Sequence, residues 1–232
     1  MAQGFAWAQY GFGALYEKGR GVAQSDALAA KWYKKAADQG NDMAQSYLAR
    51  PYTEGRGVAQ SHVEAVKWFT KAAEQGNVLS QHILGLIYLS GRSGVQKDVK
   101  ASVQWFRKAA DQSNAEAQWY LAGMYDKGHG VAQSYEDAAR WYRKAAEQGF
   151  AKAQFCLGVL FEDGLGVEQS YAKAVHWLKK AAEQGHSASQ CKVGYTCLIG
   201  RGVMQSSEEA ARWLQKSAKE GDTQAQALLD NL

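Results

Sequence analysis

Apolar and small residues recur along the chain at helical spacing, in two alternating kinds of segment. In the first kind, such as residues 153–161, they fall at positions i, i+4, i+5 and i+8. In the second kind, such as residues 134–146, the period is again helical and strong helix formers predominate. A Gly-x-Gly-Val turn separates the first kind from the second. The pattern predicts a series of helix pairs, whose members we call helix A and helix B.

The helix pairs recur with a fixed period. One tryptophan of helix B returns at intervals of 36, 37, 36, 36 and 36 residues, at Trp32, Trp68, Trp105, Trp141, Trp177 and Trp213. A period of this size predicts a repeat array, because one pair alone is too small to bury a core. We place the repeats at 5–40, 41–76, 77–113, 114–149, 150–185 and 186–221, with a terminal capping helix at 222–232. Together they form a single array over 1–232.

Helix boundaries are signalled in every repeat. An N-cap residue type stands three positions past each turn valine, and glycine closes most of the B helices. The predicted N-caps are Ser25, Ser61, Asp98, Ser134, Ser170 and Ser206. Two of them are followed by glutamate in the capping-box position, Ser61 by Glu64 and Ser206 by Glu209.

Departures from the period predict two irregularities. Pro51 falls inside a helix A, where it should kink or break the helix. The third repeat carries an extra residue at Arg92-Ser93 and has Ser113 where the other repeats have a closing glycine. We expect Asn114 to supply the left-handed residue there, and an uneven junction between the third and fourth repeats.

Small residues recur on helix A where it would approach helix B, as in Gly13, Gly85 and Gly158. Together with the GxGV turn, the helix B tryptophan and the Ala-Ala pair near the end of helix B, they resemble the Sel1-like repeat family. This family is related to tetratricopeptide repeats. The resemblance implies an all-α, right-handed α-solenoid of antiparallel helix pairs, with helix A lining a concave wall.

Composition and charge narrow the classes of partner. The net charge of +4 is small, and lysines are spread through every repeat, so no basic stripe indicates a nucleic acid partner. No apolar run reaches the length of a membrane-spanning helix, and the first residues lack an export signal. Because the chain opens in the middle of the repeat pattern, the sequence leaves open whether residues upstream of Met1 were removed. It also leaves open the compartment in which the protein is found. We retain a periplasmic or exported protein whose signal has been removed and a cytoplasmic protein.

No constellation of residues predicts catalysis, a metal site or a cofactor. The six glycine turns lack the preceding strand and third glycine of a dinucleotide-binding motif, and the five histidines share no metal-ligand spacing. Cys156 and Cys191 occupy nearly matching places on successive A helices, and whether they pair stays open. We expect no cofactor and no enzyme activity.

The family resemblance places candidate binding residues on the concave wall, on a helix A register of i, i+3, i+7 and i+10. This register is rich in aromatic and aliphatic residues, with some charged ones, and it includes Thr53 and Leu79. Trp119 and Tyr195 are the expected anchors. The candidate partner-binding residues are Trp7, Tyr10, Arg50, His82, Leu86, Trp119, Asp126, Phe155, Glu162 and Tyr195.

The sequence therefore predicts a module that binds another protein on its concave surface. An adaptor and an immunity protein that neutralises a secreted toxin are specific forms of this prediction, and an envelope protein is another possible partner. One alternative is a structural scaffold in cell-envelope or polysaccharide assembly. Another is a hydrolase of the cysteine-rich Sel1-like group, whose paired cysteines this chain lacks.

Overall fold

The computed structural model of the chain describes residues 2–91 and 94–232, with side chains from residue 5 onward. These residues form thirteen α-helices and no β-strand, which confirms the predicted all-α class. The helices are α1 (Ala2–Lys18), α2 (Asp26–Asp38), α3 (Asp42–Glu54), α4 (His62–Glu74), α5 (Val78–Ser90), α6 (Val99–Asp111), α7 (Ala115–Lys127), α8 (Tyr135–Glu147), α9 (Ala151–Asp163), α10 (Tyr171–Glu183), α11 (Ser187–Ile199), α12 (Ser207–Lys219) and α13 (Thr223–Leu229).

The odd-numbered helices α1 to α11 are the predicted A helices, and the even-numbered helices are the B helices. The chain forms two compact units, an N-terminal unit over Met1–Gln112 and a C-terminal unit over Ser113–Leu232. Within each unit every A helix contacts the B helix after it, and every B helix contacts the next A helix. The predicted helix pairs are thus present, three in each unit, and α13 packs on α12. A single array over the whole chain remains a prediction.

The predicted N-caps of the B helices are confirmed. Each cap side chain accepts a hydrogen bond from the backbone N–H three residues later. Each cap residue also donates its own N–H to a carbonyl in the last turn of the preceding A helix. The cap residue therefore ties the start of helix B to the last turn of helix A.

The predicted capping boxes form only in part. The Ser61 N–H donates to the carbonyl of Tyr52 at 2.9 Å, so it does not depend on the side chain of Glu64. The same replacement occurs at Ser206, where the backbone N–H donates to the carbonyl of Cys197 at 2.9 Å. A tertiary hydrogen bond has taken the place of the local one.

The break predicted as one outcome at Pro51 is absent, and a kink there remains a prediction. Helix α3 runs unbroken through Pro51, and its length of 13 residues equals that of α5. Pro51 lies in the last turn, where its missing N–H costs a single bond, and its carbonyl still accepts from Gly55 N–H at 2.7 Å. The proline ring is buried in the core.

The expected role of Asn114 is also wrong. Ser113 itself adopts the left-handed conformation, with φ of 66°, and takes the place of the closing glycine. Asn114 has φ of −71° and instead caps α7, accepting from the N–H of Ala117. The extra residue predicted at Arg92-Ser93 lies outside the described residues, and the uneven junction between the third and fourth repeats remains a prediction.

The expected close approach of helices A and B is confirmed at the small residues. A Cβ added to Gly158 would lie 2.8 Å from Cγ of Leu178, and one added to Gly85 would lie 2.6 Å from Cδ1 of Phe106. Ala49 and Ala122 fill the same place in the second and fourth repeats and are fully buried. The large apolar side chain of helix B therefore packs directly on the backbone of helix A.

A buried glutamine of helix A bridges its neighbours. In the second repeat, Nε2 of Gln45 donates to the carbonyl of Ala37 in the preceding helix B at 3.1 Å. Its Oε1 accepts from Nε2 of Gln75, which follows helix B of the same repeat, at 2.7 Å. Equivalent amide pairs, at 2.6 to 2.9 Å, join Gln39 to Gln9, Gln112 to Gln81, Gln148 to Gln118 and Gln184 to Gln154.

The last repeat has an incomplete bridge. Gln190 Nε2 donates to the carbonyl of Ala182 at 3.1 Å, but the position that should supply the second amide is Glu220. An ionised carboxylate cannot donate, and the buried Oε1 of Gln190 has no hydrogen-bond partner among the described residues.

We expect Glu220→Gln to stabilise the protein by about 0.5–1.5 kcal/mol, because it restores a donor to a buried acceptor. Urea unfolding of both proteins measures the change. Glu183→Gln is the matched control, because it removes the same charge from an exposed site at the end of α10. Equal gains in the two variants would show that charge, and not the bridge, is responsible.

Histidine replaces asparagine as the N-cap of α11. Nδ1 of His186 accepts from the backbone N–H of Ser189, a role that requires the neutral ring. Burial lowers the pKa of His186 below its usual 6.5, and the charge of Lys152 lowers it further. The folded state thus favours the neutral form, whose contribution to stability is complete above pH 6.5 and is lost as the pH falls through the depressed pKa.

We therefore expect His186→Asn to be less sensitive to acid than the parent. Asparagine accepts the same bond in α3, α5 and α7 and does not titrate. The measurement is the difference in free energy of unfolding between pH 7.5 and pH 5 for each protein. An equal difference in both would assign the acid sensitivity to other groups.

Candidate functional site

The predicted site residues belong to one register of the A helices, and we call the surface on that side of the A helices the helix-A face of each unit. In the N-terminal unit an aromatic cluster begins this face. The Tyr10 ring lies 5.8 Å from that of Trp7 and 5.5 Å from that of Tyr47. Beneath it, the hydroxyl of Tyr33 donates to Glu17 at 2.6 Å. Burial and the neighbouring Tyr47 raise the pKa of Tyr10 to about 12, so this hydroxyl is neutral near pH 7.

The neighbouring Phe12 shows that exposure of a large side chain on α1 does not by itself indicate binding. Phe12 of α1 occupies the position that Leu48 fills in α3, yet Phe12 is 48% exposed and Leu48 is fully buried. Helix α3 packs on α2, whereas no helix precedes α1 in the described part of the chain. The 52% exposure of Trp7 thus does not by itself identify a binding residue.

The other candidates of the N-terminal unit differ in accessibility. Arg50 and Leu86 are half-buried, and the guanidinium of Arg50 lies 5.7 Å from the ring centroid of Tyr47. His82 is only 7% exposed and packs against Phe106 at 5.8 Å. In this structure His82 therefore supports the helix-A face from below, while Arg50 and Leu86 reach its surface.

In the C-terminal unit the helix-A face is centred on Trp119. This ring is half-buried, with the Tyr120 ring at 4.8 Å and the Phe150 ring at 6.0 Å. The ammonium of Lys152 lies 5.2 Å from the ring centroid, within the range of a cation–π interaction. The half-buried Phe155 packs on the next repeat.

Charged groups accompany these aromatic rings. Burial raises the pKa of Asp126, and the nearby Lys127 opposes this change. Glu162 forms an ion pair with Lys192 of the following A helix. Tyr195 is 43% exposed and is the most accessible predicted residue of this unit.

The three cysteines are free thiols, so Cys156 and Cys191 form no disulfide in this structure. Burial raises the pKa of each thiol, and for Cys191 it reaches about 11, with Asp222 contributing. Since the thiolate is the nucleophilic form, these side chains are poor nucleophiles near neutral pH.

The described residues contain no group of three or more His, Cys, Asp or Glu side chains arranged to hold a metal ion. They also contain no helix that is long and apolar enough to span a membrane.

Two features of the surface were missed in the sequence. On helix B, a lysine ammonium lies 4.2 to 4.8 Å from the ring of the tryptophan three residues earlier in all six repeats, as with Lys144 and Trp141. The recurring W-x-x-K spacing could have revealed this pair. The second feature is a cleft of about 490 Å³ on the helix-A face of the N-terminal unit, to which Ile83 and Ile87 contribute.

Comparison with known proteins identifies the repeats. The Sel1 repeat model matches residues 8–41, 42–77, 78–114, 115–150, 151–186 and 187–222. The chain belongs to the Sel1 repeat family. The family match and the all-helical structure together confirm the predicted α-solenoid class.

Solved structures with the same fold include other Sel1 repeat proteins. A protective antigen present in uropathogenic Escherichia coli strains is 38% identical, with a TM-score of 0.95 over 99% of this chain and 49% of that one. This chain thus spans about half the length of that protein. A Sel1 repeat protein from Oxalobacter formigenes is 33% identical, with a TM-score of 0.76 over 91% of this chain and 84% of that chain.

More distant likeness shows the fold alone. An immunity protein from Pseudomonas aeruginosa is 20% identical, with a TM-score of 0.50 over 89% of this chain and 80% of that chain. A comparison with curated proteins gives no match.

Differences in burial on the helix-A face predict different stability costs. Tyr195→Ala should change the free energy of unfolding by no more than about 0.5 kcal/mol, because its ring is largely at the surface. Phe155→Ala should cost about 1.5–3 kcal/mol, because it removes apolar contacts with the Sel1 core. Urea unfolding tests both, and equal losses would show that Tyr195 belongs to the core.

Proposed function

We propose that this Sel1 repeat protein binds a partner protein through its helix-A faces and performs no catalysis. The observation that carries the proposal is a contrast within helix A. The bridging position is glutamine in all six repeats, whereas one outer position differs in every repeat. That outer position holds Ala14, Arg50, Leu86, Gly123, Val159 and Tyr195. A framework that is constant while its surface changes is what recognition of a specific partner requires.

The residue types on these faces support a protein partner. Tyrosine, tryptophan and arginine concentrate binding energy at protein interfaces, and Trp119, Tyr195 and Arg50 all reach the surface of their units at least in part. Repeat proteins commonly bind through extended surfaces of this kind. Sel1 repeat solenoids are typically protein-interaction modules.

An adaptor and a toxin-neutralising immunity protein are specific forms of this proposal. Among the structures with this fold is an immunity protein from Pseudomonas aeruginosa, but its 20% identity supports the fold and not the partner. Both forms require one partner protein to be held tightly. They therefore share the same first experiment.

A hydrolase and a structural scaffold, the two alternative functions, would each require different features of the structure. A hydrolase of the cysteine-rich group would need paired or reactive cysteines, whereas the three thiols here are free and burial raises their pKa values. A scaffold in envelope or polysaccharide assembly would need no concentrated site on the helix-A faces. The distribution of binding energy among residues separates a scaffold from a specific binder.

The test is affinity capture of a partner from the native organism, followed by titration of that partner against variants. Trp119→Ala and Tyr195→Ala should each weaken binding by about 30-fold, because truncating an anchor costs about 2 kcal/mol or more. Isothermal titration calorimetry measures the dissociation constants, with circular dichroism confirming that each variant keeps its helices.

Helix B provides the controls. Tyr171→Ala removes a tyrosine of similar exposure, 36% against 43%, from α10, and Lys35→Ala with Lys144→Ala removes two helix B charges. Loss of affinity in the controls with normal binding by both anchor variants would place the partner on helix B. Losses of no more than about threefold in every variant would favour the scaffold, since residues outside a hot spot contribute little.

A further inference from the structure

The cleft on the helix-A face of the N-terminal unit lies between α3 and α5, with α4 beneath it. Its volume of about 490 Å³ is within the range of sites that hold small ligands or side chains. Predicted residues contribute to it, namely Arg50 together with Thr53 and Leu79 of the same register. The full lining is Arg50, Thr53, Glu54, Phe69, Leu79, Ile83 and Ile87.

The floor and one wall of the cleft are apolar. Phe69 of α4 is buried and closes the floor, while Ile83 and Ile87 of α5 are half-buried along the wall. Leu79 is 46% exposed at the rim. An apolar side chain placed in the cleft would cover this surface, at a gain of about 25 cal/mol for each Å² removed from water.

Of the two charged residues that line the cleft, Glu54 is paired and Arg50 is not. The carboxylate of Glu54 is bound by Nε of Arg56 at 2.6 Å. The guanidinium of Arg50 forms no ion pair within residues 2–91 and 94–232, and it lies 5.7 Å from the ring centroid of Tyr47. The hydroxyl of Thr53 is occupied, because it donates to the carbonyl of Ala49 at 3.0 Å. The cleft therefore presents an apolar pocket beside one available positive charge.

We propose that this cleft binds a segment of a partner protein in which a bulky apolar side chain lies next to an aspartate or glutamate. The apolar side chain packs on Ile83, Ile87 and Leu79, and the carboxylate pairs with Arg50. Arginine suits this role because its planar guanidinium can donate two parallel hydrogen bonds to one carboxylate. This proposal rests on the proposed function, since it assigns the chemistry of the partner at one part of the helix-A faces.

Displayed peptides supply the probe. A library of random dodecapeptides is selected on the whole 232-residue chain, with Leu79→Glu as the counter-selection target. Leu79 is partly exposed, so this change should leave the fold intact while placing a charge in the cleft. Peptides with an apolar residue beside an acidic one should be enriched.

The enriched peptides are then synthesised with the acidic residue intact or replaced by its amide. On the parent protein the acidic form should bind about tenfold more tightly than the amide form, as expected for a hydrogen-bonded charge pair. On Arg50→Gln the two forms should bind equally. Arg20→Gln, at an exposed turn of the same unit, should behave like the parent.

The outcomes separate this proposal from the broader one. If a parallel selection without the counter-selection step yields only peptides that bind Leu79→Glu and Arg50→Gln normally but are lost on Tyr195→Ala, the cleft assignment is overturned and the proposed function stands. Peptides that occupy the cleft with no preference for the acidic form would overturn the role of Arg50. Failure to enrich any peptide over the counter-selection would overturn the cleft proposal. If the parallel selection yields only peptides insensitive to all of these variants, the result counts against both proposals.

Discussion

Stacking of the repeats depends on a buried amide whose two ends are both used. Gln45 donates to the carbonyl of Ala37 on one side and accepts from Gln75 on the other, so a single side chain links three helices. A buried polar atom left without a partner costs about 1–3 kcal/mol. The bond to Ala37 crosses to the preceding repeat, so a repeat that slid along its neighbour would lose it, and the glutamine therefore fixes the register in which one pair stacks on the next. The bond to Gln75 holds helix A to the end of helix B within its own repeat.

Close packing between helix A and helix B of one repeat is the second constraint on the structure. Because helix B lays a large apolar side chain on a glycine or alanine of helix A, as Leu178 does on Gly158, the distance between the helices leaves no room for variation on that side. Helix A is thus constrained on the sides that meet its neighbours and is free on its outer side. The same helix carries the framework and the variable surface, which is why the helix-A faces can differ from repeat to repeat without a change in fold.

Sequence signals that act locally predicted the structure well. The N-caps, the helix pairs and the small residues each follow from a pattern within one repeat. The capping-box prediction failed where a neighbouring element decides the outcome, because the N–H of Ser61 donates to a carbonyl on helix A. The predicted break at Pro51 failed for a local reason, because this residue lies in the last turn of its helix. The helix A register did not distinguish the buried His82 from the exposed Tyr195. The two residues occupy different positions of that register, i+3 for His82 and i+7 for Tyr195, and the i+3 residues are buried or half-buried in all six repeats.

Because the framework and the surface of helix A are independent, substitutions on the surface can change the binding specificity without changing the fold. In a repeat protein the stability of each pair depends mainly on its nearest neighbours, and the outer side of helix A contributes little to those contacts where residues such as Tyr195 are exposed. Substitutions there carry a small cost in folding free energy and a large effect on what can bind. On its helix-A face the N-terminal unit has an unpaired arginine, Arg50, beside an apolar cleft. In the C-terminal unit Glu162 forms an ion pair with Lys192, and the ammonium of Lys152 lies over the ring of Trp119. The two units therefore differ in the chemistry they offer, even though their helix pairs follow the same packing rules.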